Sequence, residues 1–169
     1  MALPRKLKAF AAFIDGVNYM GEVPEVTLPT LTRKMDEYRG GGMNGPLDLD
    51  YGQEKMEAEI KGAGWIKGLA AKWGAGTHDA VMIRFAGAVQ ADDSETVTPV
   101  EVVMRGRLTE IDPGSSKAGE ATERTYKYSL SYYKQVVDGA VEIEIDLVNM
   151  VEVVDGVDNL AATRAALGV

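Results

Sequence analysis

The chain has 169 residues, enough for one domain with a sizeable core and too few for two ordinary ones, so a single domain spanning 1–169 is expected. Eighteen basic against 26 acidic side chains leave a net charge of -8 with no Lys/Arg-rich block, which argues against nucleic acid as a gripped ligand, because such affinity rests on neutralised phosphates. The absence of cysteine excludes disulfides, thiolate zinc sites and cysteine nucleophiles, so packing alone must hold the fold.

The N-terminal "MALPRKLKAF" carries basic residues without a long apolar run behind them. No stretch approaches the roughly 18 apolar residues of a membrane-spanning helix, so a soluble, cytoplasmic chain without stable membrane insertion is expected. Period-2 alternation then dominates, the signal of half-buried strands. "LTRKMDEY" (Leu31 to Tyr38) reads as a strand. It runs into a glycine-rich loop, Arg39, Gly40, Gly41, Gly42, Met43, Asn44, Gly45 and Pro46, which opens onto another strand-like segment. "EKMEAEIK" puts Met56, Ala58 and Ile60 on one face and Glu57, Glu59 and Lys61 on the other.

"WIKGLAAKW" breaks the alternation, with Trp65, Leu69 and Trp73 at i, i+4, i+8, the spacing of a short helix. Strand patterns resume at Val81 to Val89 and Val97 to Ile111, joined by the polar turn "QADDSET". "TERTYKYSLSYYKQVV" alternates Tyr126, Tyr128, Leu130 and Tyr132 against Lys127, Ser129, Ser131 and Tyr133. In "VEIEIDLV", Val141, Ile143, Ile145 and Leu147 oppose Glu142, Glu144 and Asp146. Asp-Gly pairs recur at 15–16, 138–139 and 155–156. The first two separate strand-like runs and predict tight hairpins with φ > 0. A second helix is expected in "VDNLAATRAALG", with an Asp near its start and Gly168 after its end. The two strands around "IDPGSSKAGEATE" form a hairpin longer than a small core needs, and overhanging strands ask for a partner surface.

Candidate chemistry is sparse. His78 is the sole histidine, in a polar stretch without a serine nearby in sequence, and reads as a surface-loop residue. Glu57/Glu59 and Glu142/Glu144 are carboxylate pairs that could serve a hydrolase on a β-sandwich, although i, i+2 acids more often form a solvated face. "DLDYG" and "QADDSE" lack the alternating oxygen ligands and distal Glu of a calcium loop, so no metal is expected. The glycine cluster has neither the Lys-Ser/Thr ending of a phosphate-binding loop nor a following helix. The alternating tyrosines fit ordinary strand composition better than a base-stacking platform. No catalytic residue and no cofactor follow from these patterns.

In order and spacing, "ALPRKL", "FIDGVNYMGEVPEVTLPTLTRKMDEYRGGGMNGP", "IRFAGAVQADD", "VEVVMRGRLTEIDPG", "KAGEATE" and "EIDLVNMVEVVDGVDNL" resemble the major tail tube proteins of contractile-tailed phages and phage-tail-like bacteriocins. The resemblance runs end to end and is weakest from Glu54 to Thr77. It implies a mainly β, sandwich or barrel-like fold with one or two short flanking helices. Extended hairpins would join those of neighbouring subunits into an inner β-barrel, closing six-fold rings that stack into a hollow tube. The implied partners are further copies of the chain, a tail sheath outside, a tape measure protein inside during assembly, and baseplate and tail terminator proteins at the ends. DNA would pass through unbound.

On that reading, Tyr38 to Pro46 is an inter-subunit or inter-ring loop. Asp36, Glu57 and Glu59 are candidate lumen-lining residues, where acidity would repel passing DNA. Glu142, Glu144 and Asp146 are candidates for the outer, sheath-facing surface. The ring protein of a type VI secretion apparatus is a rival within the same class. A carboxylate-dependent hydrolase and a small-ligand β-barrel such as a lipocalin are rivals from other classes.

Overall fold

The computed structural model describes residues 2–169, and its regular structure is almost wholly antiparallel strand. Strand β1 (Lys6–Ile14) turns at Asp15-Gly16 into the short β2 (Val17–Asn18), and β3 (Glu25–Thr27) follows. Next come β4 (Arg33–Tyr38), β5 (Leu47–Gln53) and β6 (Met56–Gly62). The long strands are β7 (Val81–Gln90), β8 (Val97–Asp112) and β9 (Arg124–Val137). The chain ends with β10 (Ala140–Asp146), β11 (Val151–Val154), β12 (Val157–Asp158) and helix α1 (Ala161–Leu167). Among the described residues the order in the main sheet is β12-β11-β10-β9-β8-β7-β1-β2, with β6 also on β9 and β3 on β6.

The three Asp-Gly pairs have φ near 50° at Asp and near 80° at Gly, the left-handed pair that matches the twist of a two-residue hairpin. Those at 15–16 and 138–139 form the hairpins expected from sequence. The third joins β11 to β12.

Strand β9 organises the molecule because it changes partner midway. From Arg124 to Leu130 it pairs with β6, and from Tyr132 to Val137 with β10, while β8 accompanies it on the other side throughout. Ser131 sits at the fork. The β8 register slips there, Arg105 opposing Tyr132 and Gly106 opposing Leu130, so Ser131 is one residue too many. Its carbonyl instead accepts the Leu147 N–H at 3.0 Å. Such a bulge reverses which face later residues occupy. Tyr126, Tyr128 and Leu130 are buried as the alternation predicts, but beyond the fork Tyr133 is buried and Tyr132 turns outward, the reverse of the sequence expectation.

Gly106 makes this crossing possible. A Cβ built on it would lie 2.2 Å from the Ser129 carbonyl oxygen, so no side chain fits while β8 and β9 stay this close.

The two parts of the sheet share one core of Ala12, Ile14, Met56, Ala58, Ile60, Val81, Ile83, Val102, Met104, Tyr126, Tyr128 and Tyr133 with their neighbours. Met56, Ala58 and Ile60 point inward as the 56–60 alternation predicts. Leu147 lies beyond the end of β10 and is exposed, so the predicted apolar face of that strand stops at Ile145.

The expected helix at 65–73 is absent. A single 3-10 turn, Leu69–Lys72, buries Leu69, whereas Trp65 and Trp73 are 75% and 57% exposed. Gly64, Gly68 and Gly74 all take positive φ, and each interrupts the regular rise that the i, i+4, i+8 spacing presupposes. The C-terminal helix forms over seven residues and ends as predicted at Gly168, in the left-handed region. Its N-terminus has no side-chain cap. Asp158 instead accepts the Leu160 N–H and pairs with Arg164.

Candidate assembly interface

Strands β4 and β5 stand apart as a two-stranded sheet of their own. An isolated ribbon of two strands is marginal in water, so it needs a surface to lie on. The register pairs Asp36 with Leu49 and Tyr38 with Leu47, while Met35 opposes Asp50 and Glu37 opposes Asp48. Cross-strand partners share a face. One face is therefore apolar, with Tyr38, Leu47, Leu49 and, by alternation, Tyr51. The other gathers Glu37, Asp48 and Asp50 around Met35. All four apolar side chains are exposed.

The root of the ribbon is fixed by charge. Arg33 meets Asp50 on the ribbon at 2.8 Å and Glu152 of β11 at 2.5 Å. Hydrogen bonds donated to these two carboxylates push the Arg33 guanidinium further up, and the Arg33 hydrogen bond holds the Asp50 carboxyl below its usual range.

The predicted loop, Arg39 to Pro46, connects the two ribbon strands at its far end. It folds on itself once: the Met43 N–H donates to the Gly40 carbonyl at 3.2 Å, and the Gly40 N–H points at the Met43 sulfur at 3.1 Å. Of its four glycines only Gly42 has positive φ, and a Cβ at Gly41 or Gly45 would meet nothing within 4 Å. Nothing in the chain's own structure requires those two.

A second unfinished edge lies on β8. Strand β7 pairs with it only as far as Gly106, so Arg107 to Asp112 bond to β9 on one side and to no strand on the other among the described residues. The solvent face of this part of the sheet bears Glu57 and Glu59 of β6, Ser129 and Lys127 of β9, and Arg107 and Glu110 of β8 in cross-strand rows. Lys55 pairs with Glu57 at 2.5 Å, Lys127 with Glu110 at 3.1 Å and Lys61 with Glu25 at 3.1 Å. The strand that looks acidic alone is thus one row of a mixed charge ladder. Asp36 belongs to the separate ribbon and shares its apolar face, so the fold does not bring it together with Glu57 and Glu59.

An open β8 edge together with an amphipathic ribbon tied only at its root describes a subunit built to be completed by others. Residues 4–168 match the family model described as phage tail tube protein FII. The chain is similar to the tail tube protein of Escherichia phage P2, 45% identical over 171 residues, and to the major tail tube protein of Serratia phage KSP20, 41% identical over 172 residues. At least 98% of every chain is covered in both comparisons. A solved sheath-tube complex of an extracellular contractile injection system shares the fold, with a TM-score of 0.60 at 10% identity over 79% of this chain and 91% of that one.

The chain belongs to the phage tail tube protein FII family.

It is accordingly a structural subunit of a phage tail tube, part of the virion tail, on the mainly β fold expected from sequence. The family match favours the phage tube over the type VI ring protein.

In this tube subunit the β10 carboxylates are also interleaved. Glu144 accepts the Tyr132 hydroxyl at 2.8 Å, and Glu142 accepts the Gln135 amide at 2.8 Å. Burial, then the bond to Glu144, pushes the Tyr132 phenol up to about 12. Burial alone would push the Asp146 carboxyl up, but the Asn149 side chain and the Val148 and Asn149 N–H groups hold it below its usual range. Asp146 therefore shapes the turn after β10.

The fold supplies the serine that the sequence around His78 lacks, because the His78 Nδ1 lies 2.9 Å from the Ser131 Oγ at the β9 fork. Asp146, Asn149, Arg105 and Tyr132 line the same shallow cavity. Its carboxylate is engaged by Asn149 and backbone N–H groups, so the Ser131–His78 pair lacks the oriented third member of a nucleophilic triad. No sequence pattern marks this 53-residue separation. Only the bulge at Ser131 creates it.

Proposed function

We propose that six copies close into a ring and that rings stack into a hollow tube, driven through the target envelope when a surrounding sheath contracts. One observation carries the reading: among the described residues the β4–β5 ribbon, tied at its root to β11, pairs with no other strand of its own chain, and β8 from Arg107 onward has an unpaired edge. A ribbon from one copy continuing the β8 edge of the next satisfies both, converting an aggregation hazard into an interface. Repeated around an axis, the contact closes an inner β-barrel.

The ribbon's two unlike faces support one orientation in that barrel. Its apolar face packs outward on protein and its acidic face, Glu37 and Asp48, lines the channel with Glu57 and Glu59, so DNA passes without being gripped. Asp36 then lies against protein rather than in the channel. Glu142, Glu144 and Asp146 face the sheath, a tape measure protein occupies the lumen during assembly in the host cytoplasm, and baseplate and terminator proteins close the ends.

Negative-stain microscopy of the purified chain tests the proposal. Rings with six-fold averages, or long hollow tubes, are expected. A persistent monomer at high concentration overturns it and reopens the hydrolase and small-ligand barrel readings.

A further inference from the structure

The loop between β6 and β7 presents an indole with no partner. Trp65 lies over Arg124, whose guanidinium carbon is 3.5 Å from the ring centroid, but Trp73 has no stacking partner among the described residues and is 57% exposed. Its backbone is nonetheless held. Trp73 closes the 3-10 turn anchored by buried Leu69, its N–H donating to the Ala70 carbonyl at 3.1 Å. Three residues on, the Gly76 carbonyl accepts from the Arg107 guanidinium at 3.4 Å, and the chain then enters β7 at Val81, opposite Gly106. Trp73 therefore stands beside the place where β8 loses β7 as a neighbour and its open edge begins.

Charge and placement point to one occupant. From Gly64 to His78 the chain carries Lys67 and Lys72 and no carboxylate, while the ribbon carries Asp36, Glu37, Asp48 and Asp50 against Lys34 and Arg39 beyond its root. The ribbon is tied through Arg33 to β11, on the β10–β12 flank of the sheet, and Trp73 lies on the β7–β8 flank. Two complementary patches on opposite flanks, neither complementary to itself, join copies head to tail, the arrangement that generates rings.

We propose that the apolar ribbon face of one copy, Tyr38, Leu47, Leu49 and Tyr51, seats on Trp73 of the next, with Lys67 opposite Asp36, the carboxylate that shares that face, while Lys72 stays beside its own Asp15. The inference rests on the ring reading above and adds what holds the ribbon beyond its backbone pairing with β8. Both halves bring exposed aromatic or aliphatic area, and the loop and the ribbon carry net charge of opposite sign. Large aromatic anchors of this kind dominate interface energetics.

The absence of cysteine allows a direct test. Leu49→Cys and Trp73→Cys chains are assembled together and treated with a short bis-maleimide. A cross-linked dimer is expected from the mixture and from neither variant alone. In a Trp65→Phe chain, whose only indole is Trp73, the emission is expected to shift to the blue as rings form, and this measurement leaves both contact faces intact. Rings that form without the mixed cross-link and without a change in Trp73 emission overturn the seat while leaving the ring reading standing. An unmodified chain that forms no rings overturns the ring reading itself.

Discussion

Arg33 Nη1 meets Glu152 at 2.5 Å, across 119 residues of sequence, and this pair fastens the root of the β4–β5 ribbon to β11. Glu152 is only 13% exposed, whereas Arg33 is open enough for water to weaken the pair. Arg33→Ala is expected to cost about 1 kcal/mol or less in global stability. Hydrogen exchange should nonetheless quicken throughout 33–53, because the ribbon has little else to hold its angle. Unchanged exchange there would show that the latch does not set the ribbon's position.

Gly106→Ala is expected to be among the most damaging single-methyl changes in the chain. The added carbon would lie 2.2 Å from the Ser129 carbonyl oxygen, which is backbone and cannot swing aside. A loss of roughly 2–3 kcal/mol, the upper range for overpacking, should appear as a lower urea midpoint. Gly41→Ala, with nothing within 4 Å and ordinary φ, is the control and should leave the midpoint unchanged.

Tyr128 is buried with its hydroxyl unpaired among the described residues. Removing an unpaired buried hydroxyl leaves no orphan behind, so Tyr128→Phe should change stability by less than about 1 kcal/mol, whereas Tyr128→Ala should cost about 3–5 kcal/mol through the cavity it opens. Burial raises the Tyr128 phenol well above 10.0 and, with the Glu144 hydrogen bond, raises Tyr132 to about 12. For an acid raised on folding, the neutral form favours the native state. Stability is full below the unfolded value near 10 and is lost as pH rises through the folded values. Phenolate absorbance should therefore lag behind that of free tyrosine and rise together with loss of the near-ultraviolet dichroism.

Charge reversal at Glu142 and Glu144 is expected to leave bare tubes able to form while sheath attachment fails, as judged by electron microscopy of assembled tails. Tails that contract normally would remove these residues from the sheath-facing surface.

Assembly should fix the tip of the ribbon. Backbone amides from Arg39 to Pro46 have one internal turn to protect them, so hydrogen exchange in the free subunit should be fast and should slow in the tube. Equal rates in the two states would count against an inter-subunit role for the loop.

Strand content, the two hairpin turns at 15–16 and 138–139, and the inward face of Met56, Ala58 and Ile60 were legible because each depends on local alternation or on a φ > 0 requirement. The exchange of Tyr132 for Tyr133 was not, since it arises where β9 leaves β6 for β10, and partner choice leaves no trace in alternation. Trp65, Leu69 and Trp73 imitate a helical face, yet their glycine neighbours forbid one and two of the three aim at solvent. The charge of a strand face is hidden for a related reason. Glu57 and Glu59 look acidic along their own strand, but Lys127 and Arg107 stand in the adjacent rows, and charge on a sheet is read across strands as well as along them.

The continuity of β8 and β9 through both parts of the sheet has a mechanical consequence. A tube thrust through an envelope must carry axial force from ring to ring without its subunits peeling open. A hairpin pulled at its free end unzips, breaking one rung at a time. Here the same two strands serve the β3–β6 layer at one end and the β7–β10 layer at the other, so displacing one layer along the strands shears the shared ladder instead, straining its rungs simultaneously. Shear resisted in parallel is the stiff direction of a β-sheet, and it is the direction in which the two parts of this subunit's sheet are joined.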